Sequence, residues 1–446
     1  MPKSFALIFT ALLTLTALGA EARLPNIVIF FADDLGIGDI GPYGQTKIQT
    51  PHINQLAQEG TLFKTFYSAS PVCAPSRDAL MTGRHSGHLN RRDNQAKAHR
   101  DDFPKGKALV PMPPETITIA ERLKEAGYAT GGFGKWGLGN PGTTGVPWKQ
   151  GFDLWYGYLD QVHAHSYFPT YLMKNAQEVP LPGNANGGKK QYTADLIHDE
   201  SLRFIRENKD RPFFAYLATA LPHSKLEIDT LDGYANKDWT KDQKTYAAMV
   251  GRLDTHVGEV MALLQELNLD DDTIVFFTSD NGAAIRSLVP MFESTTGLRD
   301  IKRSLYDGGT REPMIVRWPH KIPAGKTSDF IWWSPDFLPT CLELAGLEPH
   351  DGIDGRSVLP TLLGHAQTPQ DYFYFEYHSP FQQAVRQGDW KAYRRSVNAP
   401  VELYNLAQDR EELSNLAQAH PDVAHRLTTI LDDPTIRTNN KYWPLK

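Results

Sequence analysis

Cys73-Ala74-Pro75-Ser76-Arg77 is the stretch in which residue type and spacing most directly offer chemistry. Pro75 suits a first helical position, where a missing N–H is no loss. Ala79, Leu80 and Met81 continue the helix, and Gly83 is a natural stop. Cys73 then stands just ahead of a helix N-terminus, where free N–H groups and the helix dipole favour negative charge. That place suits an activated nucleophile or a bound anion, and also a structural cysteine at a helix start. Oxygen ligands form a second set. Asp33 and Asp34 follow the apolar run 26–31, and Asp280 and Asn281 follow the apolar run 273–278. Outside a solvated turn, adjacent carboxylates at a strand end cannot be left bare, because like charges repel and desolvation is costly. A hard cation resolves both problems, so the four residues together form an all-oxygen shell for calcium or magnesium. His223 lies past a third apolar run, 212–217, and a histidine after a strand end can serve acid–base chemistry.

The runs that deliver these groups are continuous, apolar and rich in β-branched and aromatic residues, as in strands buried on both faces. Open α/β sheets place their sites at the C-terminal ends of such strands. Helices alternate with the strands. Thr50, Pro51 and Gly60 bracket one over 51–59, Thr118 and Glu121 form a capping box for another, and 194–207 and 244–267 follow the helical period. The fold class expected is therefore α/β, a layered domain with a central, mostly parallel sheet over residues 23–365. Short strands near 372–377, 383–386, 390–393 and 402–406 predict a smaller antiparallel sheet with a final helix over 366–446. Residues 140–190 are rich in Gly, Pro, Asn and aromatics and read as long loops over the strand ends. His163 and His165 stand there among tyrosines and tryptophans, either as a sugar platform or as packing residues. His85, His88 and the charged run 91–94 read as a loop, solvated or facing a substrate.

The composition bounds the partners. A net charge of -6 argues against nucleic acid. Lys3, the apolar run 5–20 and Ala20-Glu21-Ala22 read as a secretory signal peptide over 1–22, cut before Arg23. The run is short for a bilayer span, so no stable membrane insertion is expected. Export permits disulfides, yet Cys73 and Cys341 are the only two cysteines. Cys341 shares an apolar helical stripe with Phe337 and Leu338 and reads as a buried core thiol, which leaves Cys73 free for chemistry. The chain contains no Asn-x-Ser/Thr acceptor, which favours a bacterial periplasmic or secreted protein.

Cys73-x-Pro75-x-Arg77, with Leu80, Thr82 and Gly83 behind it, resembles the signature of the type I sulfatases. Other segments resemble the same family in order. Asp33-Asp34-x-Gly36 is similar to its metal site, Gly134-Lys135-Trp136-Gly137-Leu138-Gly139 to its Gly-Lys-Trp-His-Leu-Gly segment, and Pro222-His223 to its Pro-His. Lys302 and Asp307-Gly308-Gly309-Thr310-Arg311-Glu312-Pro313 are similar to its lysine and Glu-Gly-Gly-x-Arg-x-Pro, with Asp307 a mild change from Glu. Residues 402–406, with Glu411, Asn415 and Leu416, resemble its C-terminal signature, so the likeness covers nearly the whole mature chain.

The resemblance implies an alkaline-phosphatase-like fold and hydrolysis of sulfate monoesters. It implies that a maturation enzyme oxidises Cys73 to formylglycine, whose hydrate is the nucleophile and joins Asp33, Asp34, Asp280 and Asn281 around calcium or magnesium. Lys135 and Lys302 would offset charge on the sulfate, Arg77 would steady the formylglycine, and His223 would protonate the leaving oxygen. The main departure is Gly137, which stands where the family has histidine. His163 and His165 follow Lys135 in the chain, and at least one of them is expected to face the substrate. The aromatic loops and export favour a sulfated carbohydrate over a small aryl sulfate. The runner-up is a phosphonate or phosphate monoester hydrolase of the same superfamily, whose zinc members carry Asp-His at Asp280-Asn281. A degenerate glycan-binding relative, motivated by Gly137, ranks last.

Overall fold

A computed structural model describes residues 23–94, 110–440, 442 and 443; the leader read over 1–22 lies outside the described residues. The centre is a ten-stranded sheet. Its five middle strands run parallel, in the order Thr273–Ser279, Asn26–Ala32, Phe213–Ala218, Ala129–Lys135 and Leu154–Tyr158. Met314–Arg317, Thr61–Phe63 and Lys326–Ser328 extend one side, and Tyr171–Lys174 and Gln177–Pro180 the other. The loops expected over 140–190 therefore include three strands. Gly157, Pro180 and the many Gly, Pro and Asn residues around these short strands mask the pattern by which strands are recognised.

Along Asn26–Ala32 the side chains alternate between two cores. Val28 and Phe30 join Ile197, Phe204, Val257 and Leu264 on one face of the sheet. Ile27, Ile29 and Phe31 join Leu80, Leu123, Phe337 and Cys341 on the other. Both faces are thus covered by helices, Thr193–Glu207 and Lys241–Glu266 on the first and Cys73–Thr82, Ile119–Glu125 and Phe337–Leu344 on the second. That cover is why the middle strands read as unbroken apolar runs. Cys341 is a buried free thiol, as its stripe predicts. Among the described residues no helix is long and apolar enough to cross a membrane.

The last part of the chain forms a four-stranded antiparallel sheet, Phe373–His378, Phe381–Gln387, Trp390–Arg394 and Glu402–Asn405. The helix Pro421–Asp432 covers one face through Val423, Leu427 and Leu431. The other face packs on Tyr67, Ala79, Leu305 and Trp333. Polar ties cross the same junction. Gln382 accepts from the Leu305 N–H at 3.0 Å and donates to the Arg303 carbonyl at 2.9 Å, clamping the segment that follows Lys302. Lys391 Nζ lies 2.7 Å from Asp307 and 2.8 Å from Glu412, with all three side chains buried. Burial alone would raise the Asp307 carboxyl, yet Lys391 and Arg311 hold it at about 2.

Removing the cation from that trio leaves Glu412 without its cation and Asp307 with the more distant Arg311, 3.6 Å away, in a dry junction. Lys391→Met is expected to destabilise the protein by about 3 kcal/mol, read by denaturant unfolding. The deficit should shrink as pH falls, because these carboxylates, their folded-state pKa now raised, take up protons in the folded state first. A variant as stable as the parent at neutral pH would contradict this account.

Candidate functional site

Four parallel strands end along one edge and present their terminal residues together. Asp33 and Asp34 leave Asn26–Ala32, Asp280 and Asn281 leave Thr273–Ser279, Lys135 closes Ala129–Lys135, and His223 follows Phe213–Ala218. The helix Cys73–Thr82 points its N-terminus at them. Cys73 is the first residue of that helix, with Val72 as the extended residue before it, so Pro75 falls at the third helical position rather than the first. Pro75 is still harmless there, since the first four N–H groups of a helix have no partner within it. Gly83 ends the helix at φ 68°, the left-handed stop expected of it.

The structure brings the predicted ligands and cations together. Cys73 Sγ lies 3.4 Å from Asp33 Oδ1 and 4.0 Å from Asp34 Oδ1. Lys302 Nζ lies 3.1 Å from Cys73 Sγ and also bonds Asp34 Oδ1. Lys135 Nζ donates to Asp33 Oδ2 at 2.6 Å. Arg77 donates to Asp280 Oδ2 through Nε at 3.2 Å and Nη2 at 2.8 Å, and to the Lys135 carbonyl at 2.7 Å. His223 Nε2 stands 3.4 Å from Asp34 Oδ2. Asn281 Nδ2 donates to Asp34 Oδ1 at 2.7 Å, and the Asp34 N–H donates to Asp280 Oδ1 at 3.1 Å. Asp34 holds this position with φ 65°, a backbone conformation that L residues rarely adopt.

The donor set fits a hard divalent cation. Ligand atoms of Asp33, Asp34, Cys73 and His223 all lie within 4.8 Å of one another. Asp34 Oδ2 and Asn281 Oδ1 are buried oxygens with no hydrogen-bond partner among the described residues. Orphaned buried oxygens are rare and demand a partner, and carboxylate and amide oxygens are the ligands that calcium and magnesium take. Electrostatics agree. Burial pushes the Asp280 carboxyl up to about 7, and the neighbouring Asp33 adds to it. Burial also opposes ionisation of Asp33, but Lys135, His223, Arg77 and Lys302 outweigh it and hold the group well below the usual carboxylate range. The His223 imidazole is pushed down to about 4, chiefly by burial, with Asp34 and Asp33 pulling the other way.

His165 reaches this cluster. Its ring stacks on that of His223 with centroids 4.4 Å apart. His163 packs elsewhere on its loop, against Tyr171 at 4.4 Å and Tyr158 at 5.2 Å. Gly137 has φ 81°, and the side chain of Gln161 occupies the space beside it. The run 91–94 is not solvated: Arg91 and Arg92 are buried, and Arg92 pairs with the buried Glu376. Asn94 Oδ1 accepts the Ala74 N–H at 2.9 Å and so caps the helix that begins at Cys73. That contact spans twenty positions, beyond what a local capping pattern detects.

His85, His88 and Asp354 form a second cluster with metal-like spacing. Hydrogen bonding closes it. His85 Nδ1 accepts the Gly87 N–H at 3.1 Å, so its other nitrogen carries the proton. His88 faces Asp354 with Nδ1 at 2.8 Å and the Thr435 carbonyl with Nε2 at 2.9 Å, so both nitrogens donate. No imidazole lone pair is left for a cation. The cluster ties the segment after the Cys73 helix to Asp354 and Thr435.

The Cys73 thiol is 1% exposed, and burial pushes it up to about 12 despite Lys135 and Lys302. An unmodified Cys73 is therefore a poor nucleophile, since the thiolate is the reactive form. Native protein with both cysteines unmodified should show no fast thiol toward an aromatic disulfide reagent at pH 8, and both after denaturation. One rapidly reacting thiol in the native protein would contradict the burial argument.

The sequence model described as Sulfatase matches residues 25–347, and that described as N-sulphoglucosamine sulphohydrolase, C-terminal, matches residues 296–435. The chain is 34% identical to the N-acetylgalactosamine-6-sulfatase of Canis lupus familiaris over 86% of this chain and 74% of that protein. It is 31% identical to the N-acetylgalactosamine-6-O-sulfatase of Bacteroides thetaiotaomicron over 94% of both. Its structure is similar to that of Ps i-CgsB in complex with k-i-k-neocarrahexaose, with a TM-score of 0.83 and 29% identity over 95% of each chain. The phosphonate monoester hydrolase of Agrobacterium radiobacter, at 18% identity and a TM-score of 0.65, shares the fold alone. With the family pattern spanning most of its length and strand ends that gather a cysteine, three carboxylates and two lysines, the chain belongs to the sulfatases, hydrolases of sulfuric esters with an alkaline-phosphatase-like fold.

Proposed function

We propose that this sulfatase removes sulfate from a sulfated carbohydrate, with Cys73, carried as formylglycine, at the centre of the site. The observation that carries the reading is the 3.1 Å approach of Lys302 to Cys73 at a helix N-terminus, beside the Asp33 carboxylate that Lys135, Arg77 and Lys302 help to hold ionised. The relatives' names and the oligosaccharide held by Ps i-CgsB support a carbohydrate as the alcohol. Asp33, Asp34, Asp280 and Asn281, with the modified Cys73, would hold calcium, or magnesium in its place. That ion would act as a Lewis acid and lower the pKa of an oxygen bound to it. Formylglycine would supply a hydrated aldehyde, a nucleophile that can later release the sulfate.

The chain's own groups divide the remaining work. Lys135 and Lys302 place two ammonium groups around the sulfate, where negative charge must be offset. Arg77 aligns Asp280 through two bonds to one carboxylate oxygen. His223, whose Nε2 stands 3.4 Å from Asp34 Oδ2, is the residue set to protonate the leaving alcohol oxygen. His165, stacked on His223, extends the pocket toward the sugar and would hold a hydroxyl. His163, packed on Tyr158 and Tyr171, shapes the loop that presents His165, so the substrate contact expected of the pair falls to His165. A formylglycine-generating enzyme is the partner this reading requires. Export through the leader over 1–22 to the periplasm or the medium belongs to the same reading, supported by that leader and by the bacterial relative.

Coexpression with a maturation enzyme and a panel of sulfated mono- and oligosaccharides test the proposal. Peptide mass spectrometry should show formylglycine at position 73, and Cys73→Ala should lower turnover at least about 10³-fold. Full activity in that variant would overturn the nucleophile. Chelation should abolish turnover, calcium should restore it, and saturating calcium at about 100 Kd should stabilise the fold by roughly 2.7 kcal/mol. Stoichiometric zinc in the purified protein would instead favour the phosphatase reading. His165→Ala should raise KM more than it lowers kcat; a parent-like KM on the best sugar would exclude the hydroxyl contact.

A further inference from the structure

Gly137 and Gln161 occupy neighbouring loops above adjacent strands. Gly137 lies two residues past Lys135, and Gln161 three residues past the end of Leu154–Tyr158, which pairs in parallel with the Lys135 strand. The loops are laced together: the Trp136 N–H donates to the Tyr158 carbonyl at 2.9 Å and the Gly137 N–H to the Leu159 carbonyl at 3.1 Å. A Cβ at position 137 would lie 1.9 Å from Gln161 Nε2 and 2.9 Å from its Cδ. Glycine is favoured there by φ 81°, and the Gln161 carboxamide fills the space that a side chain would take.

That carboxamide is an anomaly in its own right. Gln161 is 7% exposed, and its Nε2 is buried without a hydrogen-bond partner among the described residues. A buried donor left unmade forfeits about 1–3 kcal/mol, so an amide held this way needs a ligand to satisfy it. Its surroundings indicate which one. Lys135 ends the strand that leads into the Gly137 loop, and His165, stacked on His223, follows Gln161 on the other. An anion held by Lys135, two residues before Gly137, is an acceptor of the kind such a donor takes.

We propose that Gln161 is a substrate-contacting residue whose side-chain amide donates a hydrogen bond to an oxygen of the bound sulfate group, in the space that Gly137 leaves open. The inference rests on the reading of the Lys135 and Lys302 pocket as the sulfate site and deepens it. Gln161 then does from the second loop what a side chain on the first cannot do.

Gln161→Met keeps the volume and removes the donor. The test is isothermal titration calorimetry of sodium sulfate into the mature, calcium-loaded protein, together with kinetics on 4-nitrophenyl sulfate. Loss of a hydrogen bond to a charged group predicts sulfate binding weakened roughly 10- to 100-fold, with kcat/KM reduced to match. The melting temperature should hold or rise, because an unpaired buried donor has gone. Gln161→Glu should bind sulfate more weakly still, from like-charge repulsion. A residue that only fills the notch beside Gly137 would leave the sulfate affinity of Gln161→Met unchanged, and that result would overturn the inference while the pocket assignment stands. A parent protein that binds no sulfate at all would overturn the pocket assignment, and the inference with it.

Discussion

Six ionisable groups removed from water at one edge of the sheet must balance one another, and most of the structure follows from that requirement. Asp33, Asp34 and Asp280 supply the negative charge, Arg77, Lys135 and Lys302 the positive, and each is buried or nearly so. A buried charge without a partner is strongly destabilising, so no member of the set is free to leave or to be replaced alone. The balance also fixes the sign of what can enter. A divalent cation among the carboxylates would leave the pocket in positive excess, the condition that favours an anionic ester over a neutral one. The lysines of that field favour an ionised thiol less than burial disfavours it, which is why a plain cysteine there stays inert.

The fold meets the requirement with backbone rather than with long side chains. Parallel strands carry their terminal residues to one edge at neighbouring registers, and the strand that bears Asp33 and Asp34 sits between those that lead to Asp280 and His223. The cations arrive from different directions: a helix N-terminal turn, a strand end and a loop. Helix cover on both faces keeps water from the strands, so the charges at their ends interact in a low dielectric and hold their geometry.

Much of this was legible in the sequence because the critical residues interrupt long apolar runs. Asp33-Asp34 and Asp280-Asn281 stand out against strands that hold nothing polar in their middles, and Cys73 to Arg77 has a spacing that few stretches share. Most of what escaped has a common cause. Arg91 and Arg92 look like a solvated run because a sequence does not announce the buried Glu376 that one of them meets. Asn94 caps a helix far behind it in the chain. The strand Leu154–Tyr158 reads as loop because it is short, carries Gly157 and lies in a stretch rich in Gly, Pro and Asn. Gly137 reads as a defect in a motif until Gln161 is seen across from it. Apart from that strand, each miss is a long-range contact that local periodicity does not encode.

The junction between the two sheets has a meaning for heredity. Arg303 and Leu305 are held by Gln382, and Asp307 by Lys391, so the loop that carries Lys302 takes its shape from residues translated long after it. A premature stop between Gly364 and Gln382 would leave every reactive residue encoded and intact, yet remove the wall against which one of them is set. For this chain, late nonsense alleles and active-site alleles should be the same class of lesion.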